Sequence, residues 1–317
     1  MANVFTASSG GTTASVQSLD SIFGSSSTDV ITLGNAGNTS FVQNVDTLTG
    51  SLNTDVVVLS NTAGAPTVLS NIDTVSGFNA GGFAVLDNAG STITASQVAT
   101  LLGGTGTDVV TLGNAGNTSL VRWVETLTGG TGGDFVLLGN LGNTTTVSGV
   151  ETLLASLNTD VITLGDNGNT IVIRDVETLT GGTGRDKILL GNRGNTTVVS
   201  GVETILGGTG NDFITITNAG LTVSVSGVDT LLGGDNTDVV TLTNESATTN
   251  VITVRSLETL TGSAGADFVL LGNRGNTTTV SGVETLLGSL NTDVITLGNA
   301  GNTITVSGIE TLTGSAN

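Results

Sequence analysis

An aspartate that opens a short apolar strand recurs along this chain, and its spacing constrains the fold more than any other feature. It falls at Asp29, Asp55, Asp108, Asp134, Asp160, Asp186, Asp212, Asp238, Asp267 and Asp293, with Asn3 and Gly82 in the two remaining slots. The intervals are 26 residues, except 27 after Asp55, around Pro66, and 29 after Asp238, around Glu245–Asn250. A fixed period of this length marks a stacked repeat architecture, in which each unit buries its apolar side against its neighbours. Each repeat reads roughly DVITLGNAGNTITVSGVETLTGGTG. Beta-branched residues dominate, Gly and Asn punctuate, and no helical periodicity is present, so the elements are strands and turns.

Alternation assigns the faces, because successive side chains of a strand point to opposite sides. The second and fourth positions after each Asp are aliphatic, as in Ile31 and Leu33, Val136 and Leu138, or Ile188 and Leu190. These columns face the core. Two more inward columns run through Val42, Val121 and Val147 and through Val45, Val124 and Val150. The position directly after the Asp contains Lys187 among Val and Phe, which marks it as outward.

The expected fold is therefore all-β: a single parallel β-solenoid, or β-helix, of twelve coils of about 26 residues, uncapped. It spans 1–317 as one domain, with coils starting near residues 3, 29, 55, 82, 108, 134, 160, 186, 212, 238, 267 and 293. Three short strands per coil is the preferred division, with two as the alternative. The GNxGN turns, as in Gly113–Asn117 and Gly191–Asn195, are expected to stack Asn38, Asn117, Asn143, Asn169, Asn195, Asn276 and Asn302 into an asparagine ladder.

Acidic residues fall in two columns, the strand-opening Asp series and a second one that includes Asp20, Asp46, Glu125, Glu151, Glu203 and Glu310. Like charges stacked at coil spacing repel, so solvent, protonation or cations must relieve them. Gly103–Asp108 (GGTGTD), Gly129–Asp134 (GGTGGD), Gly181–Asp186 (GGTGRD) and Gly207–Asp212 (GGTGND) resemble the GGxGxDxUx nonapeptide of the RTX, or hemolysin-type, calcium-binding proteins. The resemblance implies Ca²⁺ shared between loops of adjacent coils, with Asp108 paired to Asp134 and Asp186 to Asp212, and hard oxygen ligands suit that ion. The chain departs from the family in carrying one such loop per repeat. Several repeats have SLNTD there instead (Ser51–Asp55, Ser156–Asp160, Ser289–Asp293). The alternative role for these Asp residues is to cap the turn through its own N–H groups.

The two ends of the chain fit each other. Leu312–Asn317 (LTGSAN) followed by Ala2–Thr6 (ANVFT) aligns without a gap on the internal LTGSAGADFVL of Leu260–Leu271, with Asn3 in the Asp slot and Ala2 on Ala266. Residues 2–317 number 316, which is twelve repeats of 26 plus insertions of one and three. The expected assembly surface comprises Ala2, Asn3, Val4, Phe5, Leu312, Ser315 and Asn317. A head-to-tail contact of this kind does not close, and it propagates as a filament. The outward column with Phe83, Phe135, Phe213 and Phe268 is expected to form an apolar strip for lateral contact.

Composition narrows the classes of function. The chain has no His and no Cys, and seven Lys plus Arg against 26 Asp plus Glu, for a formal net charge of −19. Without His the commonest general base is missing, and without a basic patch nucleic acid is a poor partner. No apolar run approaches the roughly 20 residues needed to span a bilayer. The N-terminal residues have neither a basic nor an apolar signal region, while the Gly/Asn/Thr/Ser-rich, Lys-poor composition is similar to that of secreted bacterial repeat proteins. The expected function is that of a self-assembling extracellular structural protein of a matrix, biofilm or surface layer, exported without a cleaved signal peptide. One alternative is a calcium-binding segment of a larger secreted adhesin. Another is an ice- or surface-binding solenoid, suggested by Thr-rich stretches such as Thr144–Thr146 and Thr277–Thr279. Polysaccharide lyases also use β-helices, but no long loops and no clustered cations are present, so no enzymatic activity is expected.

Overall fold

The computed structural model describes residues 2–61, 65–217, 220–246, 249–298 and 302–315. It is all-β and parallel, with one short 3₁₀ turn at Phe78–Ala80 and no α-helix among the described residues. Two units are distinguished, Met1–Asn158 and Thr159–Asn317.

Each 26-residue repeat supplies three strands, as in Val109–Leu112, Thr118–Arg122 and Thr126–Thr128. Consecutive strands do not pair with each other. Each strand pairs in parallel with the second strand before and the second strand after it, as Val109–Leu112 does with Thr92–Ser96 and Thr126–Thr128. Strands therefore alternate between two facing sheets, here called sheet I (beginning with Val4–Thr6) and sheet II (beginning with Thr12–Val16).

One turn of the solenoid is thus two strands, and one sequence repeat is one and a half turns. The chain makes about eighteen turns, nine in each unit, not the twelve coils that the repeat count implies. Three strands per repeat is correct, but the repeat is not the coil. A turn needs only enough chain to cross two facing sheets and two corners, and away from the two insertions registered partners are accordingly 17 or 20 residues apart, as in Val109↔Thr126 and Thr126↔Thr146.

The core lies between the sheets. The inward columns are buried as alternation requires: Ile31, Leu33, Val42 and Val45 in the N-terminal unit, and Ile188, Leu190, Val199 and Val202 in the C-terminal unit, are at most 5% exposed. A fifth column, Leu48, Leu101, Leu127 and Leu153, then Leu179, Leu231 and Leu260, is buried as well. Fully burying such a side chain contributes roughly 1.5–3 kcal/mol.

The corners are tight. A Cβ on Gly129 would stand 1.7 Å from the carbonyl oxygen of Gly149 and 2.8 Å from Asp134 Oδ2. Glycine, without a Cβ, suits that approach of backbone to backbone, and the next repeat carries the small Ala155 at the same position.

Candidate functional site

The corners carry the polar chemistry. Each strand-opening Asp is buried; Asp55, Asp108, Asp160, Asp212, Asp238 and Asp293 have no exposed surface. In the N-terminal unit, Oδ2 of Asp134 accepts the N–H of Gly130, four residues earlier in its own corner, at 2.7 Å. Its Oδ1 accepts from Asn117, one turn back, and its own N–H donates to Glu151 Oε2, one turn on, at 2.7 Å. Asn117 Nδ2 also donates to Gly113 O at 2.7 Å, and Asn117 Oδ1 accepts the N–H of Gln97 at 2.7 Å.

The order up an edge is therefore Asn, Asp, Glu, one residue per turn, repeating every three turns. The same series occurs in the C-terminal unit as Asn195, Asp212 and Asp229 and as Asn276, Asp293 and Glu310.

This geometry replaces the expected asparagine ladder. Asn residues do not stack on one another, because the turn above each one presents an Asp. It also explains how stacked acids are tolerated: backbone and carboxamide N–H groups stand between them, and hydrogen bonds to a carboxylate favour its charged form. Cations contribute little to this relief; Arg174 pairs with the adjacent Asp175 at 3.2 Å, both partly exposed, and Lys187 pairs with Glu245.

Burial pushes these carboxyls up, and the donors around each one decide whether that prevails; Asp29, with Ser25 in its corner and Thr12 in the slot below, is held under the usual range by their hydrogen bonds. Asp293, below which Asn276 sits, feels burial pushing its carboxyl up, yet the hydrogen bonds from Ser289 and Asn276 together hold it below the usual range. Where Ser91 or Leu221 occupies that slot, burial prevails and Asp108 and Asp238 are pushed up. The neighbouring charges of Glu125 and Asp87 add to the rise at Asp108.

The residues expected to bind calcium in pairs are not brought together. Asp108 opens a strand of sheet I and Asp134 a strand of sheet II, so they stand at opposite edges of the N-terminal unit. In the C-terminal unit Asp186 opens into sheet II and Asp212 into sheet I. Their oxygens accept corner N–H groups, from Gly104, Gly130, Gly182 and Gly208, at 2.7–3.1 Å. Turn capping is what the geometry displays. Among the described residues no three acidic side chains gather as a metal ligand set.

The first and last turns expose what other turns bury. Phe5 and Val16 in the first, and Val306 and Ile309 in the last, are half-buried, and Leu312 is 43% exposed. Ala2, Asn3 and Val4 are exposed and Ser315 is half-buried, while Asn317 lies outside the described residues. Asn3 behaves as its slot requires, with its N–H on Asp20 Oδ2 at 2.6 Å.

The phenylalanine column divides between the sheets: Phe83 and Phe135 face outward from sheet II, Phe213 and Phe268 from sheet I. Among the described residues no helix is long and apolar enough to cross a membrane. Comparison with protein-family models, curated proteins and solved structures returns no match.

Proposed function

We propose that this chain is an extracellular structural protein that assembles head to tail, the last turn of one copy continuing into the first turn of the next. The observation that carries this reading is the exposed inward side chain of Leu312, in a column that is otherwise buried. Extending the internal register by one step sets Thr303 beside Val4 of the following copy and Leu312 beside its Val16, as Leu286 stands beside Val306.

The edge ladders support the same join. Their phase repeats every three turns, and a join in the internal register keeps that phase on both edges. On one edge Asn302 meets Asn3, which already donates to Asp20; on the other, Glu310 meets Thr12, below Asp29. Unpaired strand edges otherwise invite non-specific association. The Lys-poor, Gly/Thr-rich composition supports an extracellular place.

Electron microscopy of the purified protein tests the reading, with Leu312→Asp as the control that puts a charge into the joining column. Filaments from the parent protein and single particles from the variant are expected. A parent protein that stays monomeric at high concentration, or a variant that polymerises equally well, would overturn it.

A second reading is favoured by one face of each unit. Outward from sheet I of the N-terminal unit, Thr74, Thr94, Thr111, Thr128 and Ser148 form one registered hydroxyl row, and outward from sheet II of the C-terminal unit Thr204, Ser224, Thr241, Thr261 and Ser281 form another. Of the residues that interrupt the threonines when all repeats are superposed, Leu120 and Val172 belong to sheet II, while Phe41 stands on sheet I, outside the row on that sheet. A flat hydroxyl array suits an ordered hydrated surface such as ice, and thermal hysteresis activity is its test.

A further inference from the structure

The face opposite each hydroxyl row is apolar, and its pattern occurs twice. On sheet II of the N-terminal unit the outward side chains register as Phe83–Thr100–Leu120–Leu137–Leu154. Beside that row lie Leu102–Arg122 and Thr118–Phe135–Thr152. On sheet I of the C-terminal unit the row is Phe213–Thr230–Thr253–Leu270–Leu287, flanked by Leu232–Arg255 and Val251–Phe268–Thr285. Position by position the two mosaics agree, except that Thr253 stands for Leu120 and Val251 for Thr118. Both are open: Phe135 and Leu137 are 38% and 40% exposed, Phe213 and Val251 38% and 60%.

We infer that these mosaics are two copies of one docking surface, and that the occupant is the matching mosaic of a second copy of this chain. Charge selects that partner. The chain carries −19 overall, and its acids sit at the edges, so two copies repel edge to edge. The outward positions of the mosaics hold no Asp or Glu. Each has a single Arg at its border, and Arg122 is drawn aside onto the ring of Trp123, 4.2 Å from the centroid. Face-to-face approach of two sheets is thus the contact free of acid–acid repulsion, and of the two faces only the apolar one gains by leaving water.

Size decides how the surface works. With strands about 4.8 Å apart and alternate residues about 6.8 Å apart, one mosaic covers on the order of 350 Å². That is well below the roughly 800 Å² per partner of a stable interface. A single contact is weak, but a chain with two of them is bivalent and can engage two further copies at once. Growth side by side is the consequence. It rests on the faces alone, not on the head-to-tail join.

The test replaces the mosaic by the residue its own column already contains. Phe135→Thr with Leu137→Thr disables one mosaic, and Phe268→Thr with Leu270→Thr disables the other; Thr118 and Thr152 flank Phe135 in the same column, and a thermal melt checks folding. Particle width in micrographs reports lateral association, and length reports the join. The parent protein is expected to form wide bundles, either double variant to stop at pairs, and the quadruple variant to stay single in width with length unchanged. Bundles of undiminished width from the folded quadruple variant would overturn the inference. So would a parent protein that stays single in width at every concentration, or one whose mosaics bind phosphatidylcholine vesicles in preference to each other.

Discussion

Oδ1 of Asp134 accepts two hydrogen bonds from Asn117, one from the backbone N–H at 2.9 Å and one from Nδ2 at 2.7 Å. Asn117 is 2% exposed and Asp134 1%, so neither has water to fall back on. Hydrogen bonds to charged groups contribute about 1.5–3 kcal/mol, and a buried donor left without a partner costs about 1–3. Asp134→Ala orphans the Asn117 donors and the Gly130 N–H together, and is expected to lower stability by roughly 3 kcal/mol or more. Asp134→Asn, which keeps the shape and loses the charge, is expected to cost about 2. Urea unfolding of each variant checks the order.

Ser91→Asn supplies the carboxamide missing beneath Asp108. Ser91 already donates its N–H to Asp108 Oδ1 at 2.8 Å; the new side chain adds a second donor to that oxygen. The Asp108 carboxyl is expected to titrate at lower pH, and the protein to gain about 1 kcal/mol at neutral pH. Carboxyl NMR titration reads the first and urea unfolding the second. An Asp108 that stays elevated in the variant would show that the carboxamide is not what distinguishes the slots.

The pH dependence of stability follows from the opposite directions of Asp293 and Asp108. Asp293 is lowered in the folded chain, so its contribution is complete above its unfolded pKa of about 3.9 and is lost as pH falls through the lower folded value. Asp108 is raised, so the folded state binds its proton more readily, and its contribution is lost as pH rises through the folded value. Asp293→Asn is expected to flatten the acid limb of the stability curve, and Asp108→Asn the limb just above the ordinary Asp range. Stability measured from pH 2 to 7 separates them.

Gly129→Ala is expected to destabilise by about 1–3 kcal/mol, because the new methyl group meets the backbone of Gly149 and the corner must open, as it does around Ala155 one repeat on. The same substitution at Gly133, where a Cβ meets nothing within 4 Å, is expected to be nearly neutral. Comparing the two melting temperatures isolates the close approach from any general effect of adding a methyl group.

Calcium is expected to leave the melting temperature unchanged, because the corner N–H groups already occupy the Asp oxygens that a shared ion would need. Calorimetric titration and a melt with and without chelator check this. A stabilising shift that disappears in Asp134→Asn would reinstate the loop carboxylates as ligands.

The faces of the strands were legible in the sequence. The aliphatic columns at Ile31 and Leu33, and at Val42 and Val45, are buried where alternation puts them, since an apolar side chain every second residue has only one side to hide on. Capping by the Asp corners was legible only as the alternative to calcium binding: GGTGGD places donors four residues before an acceptor. What stacks on what was not legible. Inward and outward side chains alternate identically whether the chain closes after three strands or after two, so periodicity alone counted repeats as coils.

The sequence by itself determined an all-β parallel stack and its inward columns, and it left calcium binding and turn capping both open for the Asp corners. Only the tertiary structure decided that a turn takes two strands, and with that which residues are neighbours: Asn117 under Asp134, Phe135 beside Thr118 and Thr152. The reason is that a β-strand's own sequence states which side faces the core, whereas closure depends on the distance the corners must bridge between two facing sheets. A 26-residue repeat wound one and a half times sends successive copies to opposite sheets, and that winding separates the hydroxyl faces from the apolar ones.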